Sequence, residues 1–190
     1  MFKIVNLYHM ARGLSVRGCT FVGAGLILKG KSQNIKIGRR VSIGKNVELK
    51  IRDNSRIVLS DGAKIDDNVR LISANGSTLF IGPETKVMFC SIINAGANIY
   101  IGEKTGIAAY NMINSSQHIT EASSAWMDQG YKHSPIRIGR DVLIGSHCSI
   151  LPNVNIGNGA IITTHSVINN DCQKKMIYTG IPARVVGKRL

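Results

Sequence analysis

The sequence is poor in several features that define common protein classes. Aromatic residues make up 5% of its 190 residues, and 11 Asp and Glu stand against 24 Lys and Arg, which leaves a formal charge of +13. No apolar run approaches the roughly 20 residues needed to cross a bilayer, so no transmembrane helix is expected. The first thirteen residues lack the continuous apolar segment of a secretory signal peptide. We therefore expect a cytoplasmic protein.

The cysteines are few and scattered. They are Cys19, Cys90, Cys148 and Cys172, and no two of them form a CxxC motif. A secreted disulfide scaffold is usually shorter and richer in cysteine, and a structural zinc site needs closely spaced ligands. The sequence therefore favours free thiols and predicts no bound metal.

What the sequence does contain is a six-residue repeat. Six successive sets place Ile, Leu or Val at every sixth residue, at Ile37, Ile43 and Leu49; Leu59, Ile65 and Leu71; Ile81, Val87 and Ile93; Ile101, Ile107 and Ile113; Ile138, Ile144 and Ile150; and Ile156, Ile162 and Ile168. A weaker set, Val16, Val22 and Leu28, precedes them. A period of six fits neither the two-residue alternation of a strand nor the 3.6-residue turn of a helix. It fits a short strand followed by a corner.

Three such units would close one triangular coil of eighteen residues. The six sets begin 22, 22, 20, 37 and 18 residues apart, so one excess of 19 residues lies between Ile113 and Ile138. Stacked coils pair as parallel strands, and both ends of a solenoid need caps. We predict an all-β parallel β-helix of about seven coils. Its predicted parts are an N-terminal, helical cap at 1–15, the β-helix at 16–172 with an extruded loop at 114–137, and a C-terminal cap at 173–190.

The repeat, the extruded loop beside a histidine and the tail segment 180–186 together resemble the hexapeptide-repeat acyltransferases. Residues 136–147 are similar to the block that follows the loop in that family, and the closest branch is the sugar and xenobiotic O-acetyltransferases. The resemblance implies a left-handed β-helix that works as a homotrimer. It also implies acetyl-CoA as the acyl donor and a hydroxyl as the acceptor.

Acyl transfer to a hydroxyl needs a base and a donor to the developing oxyanion. His118 stands where the family places its catalytic histidine, so the resemblance implies that it is the general base. His133, at the far end of the loop, is the reserve candidate. Glu121 and Asp128 are both available to orient the imidazole. The family's oxyanion donor is a backbone amide that corresponds to Ser146.

The resemblance also implies where acyl-CoA would bind. Its groove passes Ser146 and runs along the last coils near Thr164 and Asn169. Arg184 and Lys188 in the tail would reach the nucleotide phosphates, with which Arg and Lys form charge-assisted hydrogen bonds.

Two pairs of residues have more than one interpretation. Trp126 and Tyr131 in the extruded loop could pack on the sugar ring of an acceptor or pin the loop to a neighbouring subunit. His147 and His165 are eighteen residues apart, so they should stack on successive coils. A structural pair, or a pair that lines the CoA groove, is favoured over a metal site, because the equivalent position one coil earlier is Tyr110.

The positive charge is concentrated in the N-terminal part. Residues 1–56 contain twelve Lys or Arg and two acids, Glu48 and Asp53. Such a block indicates an anionic partner, which could be an acidic or lipid-linked glycan acceptor or the anionic inner face of the membrane. Nucleic acid is not expected, because the block contains no recognised module and few stacking aromatics.

The sequence therefore predicts a CoA-dependent O-acetyltransferase that acts on a sugar or glycan in surface polysaccharide biosynthesis. Three alternatives remain open: an N-acyltransferase for an amino sugar, a metalloenzyme like the β-helical carbonic anhydrases, and a non-catalytic solenoid scaffold.

Overall fold

A computed structural model describes residues 14–18 and 20–190 of the chain. In this part the backbone winds into seven triangular coils, whose strands pair in parallel to form three long sheets. Of the helical cap expected at 1–15, residues 1–13 lie outside the described residues, and Ser15 already belongs to the first strand. No helix in the described part is long and apolar enough to span a membrane.

Each sheet forms one face of the solenoid. The first face comprises Ser15–Val16, Ile35–Ile37, Arg56–Leu59, Thr78–Ile81, Ile99–Ile101, Ile136–Ile138 and Asn155–Ile156. The second face comprises Phe21–Val22, Ser42–Ile43, Lys64–Ile65, Lys86–Val87, Gly106–Ile107, Leu143–Ile144 and Ile161–Ile162, followed by Met176–Gly180 and Ala183–Lys188. The third face comprises Ile27–Lys29, Glu48–Ile51, Arg70–Ser73, Ile92–Ala95, Met112–Asn114, Ser149–Ile150 and Val167–Ile168. We name the turns between them the first–second, second–third and third–first corners.

The repeat positions form the core. All eighteen are at most 3% exposed, and equivalent members of successive coils are in register, as Ile37 is with Leu59 and Leu59 with Ile81. Burying one such side chain contributes about 1.5–3 kcal/mol, so the stacked coils supply most of the apolar burial. The predicted parallel β-helix of about seven coils is confirmed.

The glycines that follow the first strand in five of the seven coils allow close stacking. A Cβ on Gly102 would lie 2.6 Å from the backbone nitrogen of Arg140. The left-handed conformation occurs two residues later instead, at Lys104 (φ 53°) and Asp141 (φ 54°). The glycine therefore serves the approach of two backbones, and a polar residue takes the positive φ.

The excess residues leave the solenoid at a third–first corner as a β-hairpin. Ser116–His118 pairs in antiparallel fashion with Tyr131–His133, and a 3-10 turn, Trp126–Asp128, lies between the two strands. We call residues 115–134 the hairpin loop. A second 3-10 turn, Ser32–Asn34, lies before the second strand of the first face.

The C-terminal strands cover the edge of the last coil. Met176–Gly180 continues the second face in parallel from Ile161–Ile162, and Ala183–Lys188 folds back on it in antiparallel fashion. Arg189 then forms an ion pair with Asp141 at 2.9 Å. Ala183–Lys188 is therefore the edge strand at this end of the second face.

Candidate active site

His118 lies at the end of the outgoing strand of the hairpin loop, opposite Tyr131. Its ring centroid is 4.1 Å from that of Tyr131 and 5.1 Å from that of Trp126. No described residue forms a hydrogen bond with the ring, so neither Glu121 nor Asp128 orients it as expected. The Glu121 backbone is instead held by the Gln129 side chain. Two aromatic rings therefore hold His118, and its nitrogens are free of described partners.

The His118 ring lines a cleft. This cleft has a volume of about 490 Å³. Lys132 forms one wall, and Pro152 and Asn153, at the third–first corner of the following coil, form another. A substrate in this cleft would have an imidazole and an ammonium group beside it.

His133 is engaged at both ring nitrogens. Ser116 Oγ lies 2.9 Å from its Nδ1, and Asn75 Nδ2 lies 3.1 Å from its Nε2. Asn75 Nδ2 can only donate a hydrogen bond, so His133 Nε2 is the acceptor. His133 Nδ1 therefore carries the ring proton and donates it to Ser116 Oγ. His133 thus fastens the hairpin loop to the solenoid. Nothing in the sequence marks Asn75, since the contact exists only because the loop folds back over earlier coils.

Ser146 lies at a second–third corner, and its backbone N–H has no acceptor among the described residues. At the same corner of an earlier coil, the N–H of Lys45 donates to Asp67 Oδ1 of the next coil at 2.6 Å. Thr164 takes the place of that aspartate above Ser146. The amide therefore remains available to an external oxygen.

Within one chain, the structure does not bring His118 and Ser146 together. They lie at opposite ends of the third face, with Ser149–Ile150 between Ser146 and Leu151. The corner at Ser146 and the strand Ser149–Ile150 therefore separate the Ser146 amide from Pro152 and Asn153, which line the cleft with His118. A base and an oxyanion donor at these positions cannot act on the same atom inside a single protomer.

Thr164 and Arg184 lie on the same side of the solenoid as Ser146. The Thr164 backbone packs closely on Gly145. A Cβ added to Gly145 would lie 2.6 Å from the backbone nitrogen of Thr164. Arg184 pairs with Thr179 in the C-terminal hairpin, and the Thr179 hydroxyl accepts a hydrogen bond from Thr163. The side chains of Thr164 and Arg184 are both exposed.

Asn169 and Lys188 lie elsewhere. Asn169 follows Val167–Ile168 and is at the third–first corner, at the other end of the third face from Thr164. Lys188 lies opposite Met176 at the far end of the C-terminal hairpin from Arg184. The structure therefore groups Thr164 and Arg184 with Ser146 and separates the other two candidates.

A column of rings follows the second–third corner over four coils. His147 and His165 stack with centroids 4.8 Å apart and planes 1° from parallel, as their spacing predicted. Tyr110 stacks on His147 at 4.9 Å, and Phe89 packs edge-on against Tyr110 at 5.5 Å. Among the residues described, no group of three or more His, Cys, Asp or Glu could hold a metal ion.

Comparison with known proteins identifies the repeat. The family model of the bacterial transferase hexapeptide (six repeats) matches residues 135–170. The matched segment is a hexapeptide repeat of the bacterial transferase type. Its relatives include the probable acetyltransferase Rv3034c of Mycobacterium tuberculosis, 28% identical over 99% of this chain and 54% of that protein. Galactoside O-acetyltransferase of Escherichia coli is 30% identical over 58% of this chain and 54% of that protein.

The hexapeptide-repeat chain spans about half the length of the relatives that it matches. Among solved structures, the polysialic acid O-acetyltransferase OatWY is similar, with a TM-score of 0.72 and 17% identity over 93% of this chain and 89% of that chain. A variant of AntD, an N-acyltransferase from Bacillus cereus in complex with an amino-sugar nucleotide and coenzyme A, has a TM-score of 0.65 and 18% identity over 100% of this chain and 90% of that chain. These likenesses confirm the left-handed parallel β-helix expected from the family resemblance.

Proposed function

We propose that this hexapeptide-repeat protein is a CoA-dependent O-acetyltransferase that acts on a hydroxyl of a sugar or glycan. The observation that carries the proposal is the His118 ring, which lines a cleft of about 490 Å³ with its nitrogens free of described partners. The acetyltransferase names of the relatives support the reaction class. Galactoside O-acetyltransferase, which is 30% identical, supports a sugar acceptor.

The proposed reaction is a direct transfer. His118 takes the proton of the acceptor hydroxyl as its oxygen attacks the thioester carbonyl. A C–O bond forms, and negative charge develops on the carbonyl oxygen, where the Ser146 N–H would stabilise it. Collapse breaks the C–S bond, and the proton passes from His118 to the departing CoA sulfur. No acyl-enzyme forms, because no Ser or Cys side chain hydrogen-bonds the His118 ring within the described residues.

We further propose that the base and the oxyanion donor come from different copies in a homotrimer. His118 and Ser146 lie at opposite ends of the third face, so a neighbouring copy packed on this face could pair one with the other. The outward column of that face includes Ile92 and Met112, which is 40% exposed. Co-assembly of His118→Ala and Arg184→Ala protomers should then give more activity than either variant has alone.

The binding residues for acetyl-CoA follow from the same grouping. Thr164 and Arg184 lie beside Ser146 and form the proposed binding surface, while Asn169 and Lys188 are proposed to contact more distant parts of the molecule. Calorimetric titration of acetyl-CoA into the full chain should show saturable binding that Arg184→Ala weakens more than Lys188→Ala does. Absence of binding would overturn the proposed function.

The hairpin loop is proposed to serve the acceptor. Trp126 and Tyr131 each contact the His118 ring and are still 56% exposed. We propose that they position the base and offer their remaining surface to a sugar ring. An acceptor panel of neutral sugars, acidic sugars and amino sugars, analysed by mass spectrometry, would identify the substrate. Cleavage of the product by hydroxylamine separates an O-acetyl ester from an amide and so tests the N-acyltransferase alternative.

The remaining expectations belong to the same proposal. The protein would act in the cytoplasm or at the inner face of the membrane, in the assembly of a surface polysaccharide. Zinc found at stoichiometric amount in the purified protein would favour the metalloenzyme alternative. Full acetyl transfer by His118→Ala would exclude this base, and no transfer to any acceptor would favour a scaffold.

A further inference from the structure

A second cleft, of about 630 Å³, lies on the second face. Five of its lining residues are neighbours in register on successive coils, namely Lys64, Lys86, Gly106, Leu143 and Ile161. None of the residues that line the His118 cleft lines this one. It is therefore a separate surface on a different face of the solenoid.

The rim of this cleft carries lysines without partners. Lys64 and Lys86 are exposed and directly adjacent on paired strands, an arrangement of like charges that costs stability. Lys104 adds a third ammonium group from the first–second corner. Among the described residues, none of the three lies within ion-pair distance of a carboxylate.

Two acids also line the cleft, but they do not neutralise it. Asp141 is held by Arg189 at 2.9 Å. Glu84 has no ion pair with a described residue and is outnumbered by the three lysines. The cleft therefore keeps an excess of positive charge that an anion could compensate.

The floor of the cleft is apolar because of one glycine. Gly106 is the only residue without a side chain in the column of five, and a Cβ there would meet only Leu143 Cδ1, at 3.5 Å. Neither packing nor a positive φ requires glycine at this point. The missing side chain leaves a gap between Lys86 and Leu143, which is 50% exposed.

We propose that this cleft binds an acidic glycan built of carboxylate-bearing sugars. The C–H face of a sugar ring would lie on Gly106 and Leu143, and its carboxylate would pair with the lysines. Successive coils are about 4.8 Å apart, so the lysine rows follow the axis along which an extended polymer could lie. No aromatic side chain lines the cleft, which disfavours single-stranded nucleic acid, because such binding uses base stacking.

The binding step itself requires no acetyl transfer. Its role rests on the proposed function: the second face is opposite the corner that carries the hairpin loop, so a polymer anchored there would present another of its units to His118 of a neighbouring copy in the proposed homotrimer. The cleft would in this way select anionic acceptors. The two ideas can fail separately, since glycan binding is measured without acetyl-CoA and acetyl-CoA binding without glycan.

Binding is tested with the full chain and oligogalacturonate as the carboxylate probe, with dextran as the neutral control. Lys64→Gln/Lys86→Gln should weaken oligogalacturonate binding about tenfold, since two exposed ion pairs together are worth roughly that factor. Gly106→Leu should weaken it without changing the charge. Lys36→Gln/Arg52→Gln removes the same charge outside the cleft and should leave affinity within about twofold.

Three outcomes would overturn the proposal. One is that Lys64→Gln/Lys86→Gln and Lys36→Gln/Arg52→Gln weaken oligogalacturonate binding equally, which would indicate general charge attraction. Another is that the protein binds phosphatidylglycerol vesicles more tightly than oligogalacturonate and that Lys64→Gln/Lys86→Gln abolishes vesicle binding. This result would indicate a lipid surface. The third is that free CoA competes with oligogalacturonate and that Lys64→Gln/Lys86→Gln also loses affinity for CoA. This result would assign the lysines to binding of the CoA nucleotide.

Discussion

His133 Nε2 lies 3.1 Å from the amide nitrogen of Asn75, 58 positions earlier in the chain. This hydrogen bond joins the returning strand of the hairpin loop to the third–first corner of an earlier coil. The two histidines of the loop therefore differ in kind. His133 is held at both ring nitrogens, whereas His118 contacts only aromatic rings among the described residues.

The first prediction separates the two histidines. His118→Ala should lower the acetyl-transfer rate by about 10²–10⁴, the usual contribution of a general base. The affinity for acetyl-CoA should stay within about twofold, since the base acts on the acceptor hydroxyl and the proposed acetyl-CoA surface is formed by Thr164 and Arg184. Steady-state kinetics and calorimetry measure the two quantities. Loss of binding with an unchanged rate constant would assign His118 to the donor site instead.

The second prediction concerns the attachment of the hairpin loop. Asn75→Ala removes the donor to His133, a hydrogen bond worth about 1 kcal/mol, and should loosen the loop. Hydrogen exchange over residues 116–133 should become faster, while exchange in the core strands stays unchanged. Asn68→Ala is the control, because Asn68 has the same φ of 57° and among the described residues its side chain bonds only to Asn46. Unchanged loop exchange in Asn75→Ala would show that other contacts hold the loop.

The third prediction compares two glycines that are four residues apart. Gly102→Ala places a Cβ 2.6 Å from backbone atoms of the next coil, and this overpacking should lower the free energy of unfolding by about 1–3 kcal/mol. Gly106→Ala meets only a side-chain atom at 3.5 Å and should be neutral or stabilising by about 0.5 kcal/mol. Denaturant unfolding of both variants measures the difference. Equal effects would argue against backbone stacking as the reason for Gly102.

The fourth prediction follows from Glu48, which is 6% exposed on the third face. Burial raises the pKa of its carboxyl, but hydrogen bonds and charges from Lys29 and Arg70 outweigh burial and leave the pKa below its ordinary value of 4.5. A lowered folded-state pKa means that the carboxylate stabilises the fold above about pH 4.5, and that this contribution is lost as pH falls through the folded-state pKa.

Glu48→Gln should therefore lower the free energy of unfolding by about 1 kcal/mol at pH 7. The difference from the parent protein should shrink as the solution is acidified below pH 4.5. Denaturant melts at several pH values measure it, with exposed Glu121→Gln as the control. A difference that grows on acidification would contradict the assignment.

The fifth prediction concerns thiol reactivity. Burial raises the pKa of the Cys148 thiol, and burial together with the charge of Asp171 raises the pKa of Cys172 to about 12. At pH 8 both thiols stay protonated and covered, so iodoacetamide should label the partly exposed Cys90 before Cys148 and Cys172. Peptide mass spectrometry of native and denatured protein measures this order. Early labelling of Cys148 or Cys172 would show that the last coils open.

Much of the fold was predictable because its signal is local. The residue that faces the core recurs every six positions, so Ile37, Ile43 and Leu49 identify the three faces of a coil without reference to any other coil. The extruded loop was visible as an interruption of the same period. The conformation of the loop was not predictable, because its hairpin depends on the pairing of Ser116 with His133 and on a contact with Asn75.

The candidate site was predictable only in part. The resemblance pointed to His118, but it did not reveal the neighbours of the ring. Tyr131 contacts the ring because it lies opposite His118 in the hairpin, and Trp126 contacts it from the 3-10 turn. Thr164 and Arg184 lie together because the C-terminal hairpin returns to the second face, and Lys188 lies apart because it is at the other end of that hairpin.

The sequence by itself determined which residues form the core, how many coils stack and where the loop leaves them, because these depend on a repeat of six residues. The tertiary structure decided which side chains meet across coils. Lys64, Lys86 and Gly106 are about twenty residues apart in sequence, and only the stacking of coils about 4.8 Å apart makes them one surface. The opposite placement of His118 and Ser146 on the third face was decided in the same way.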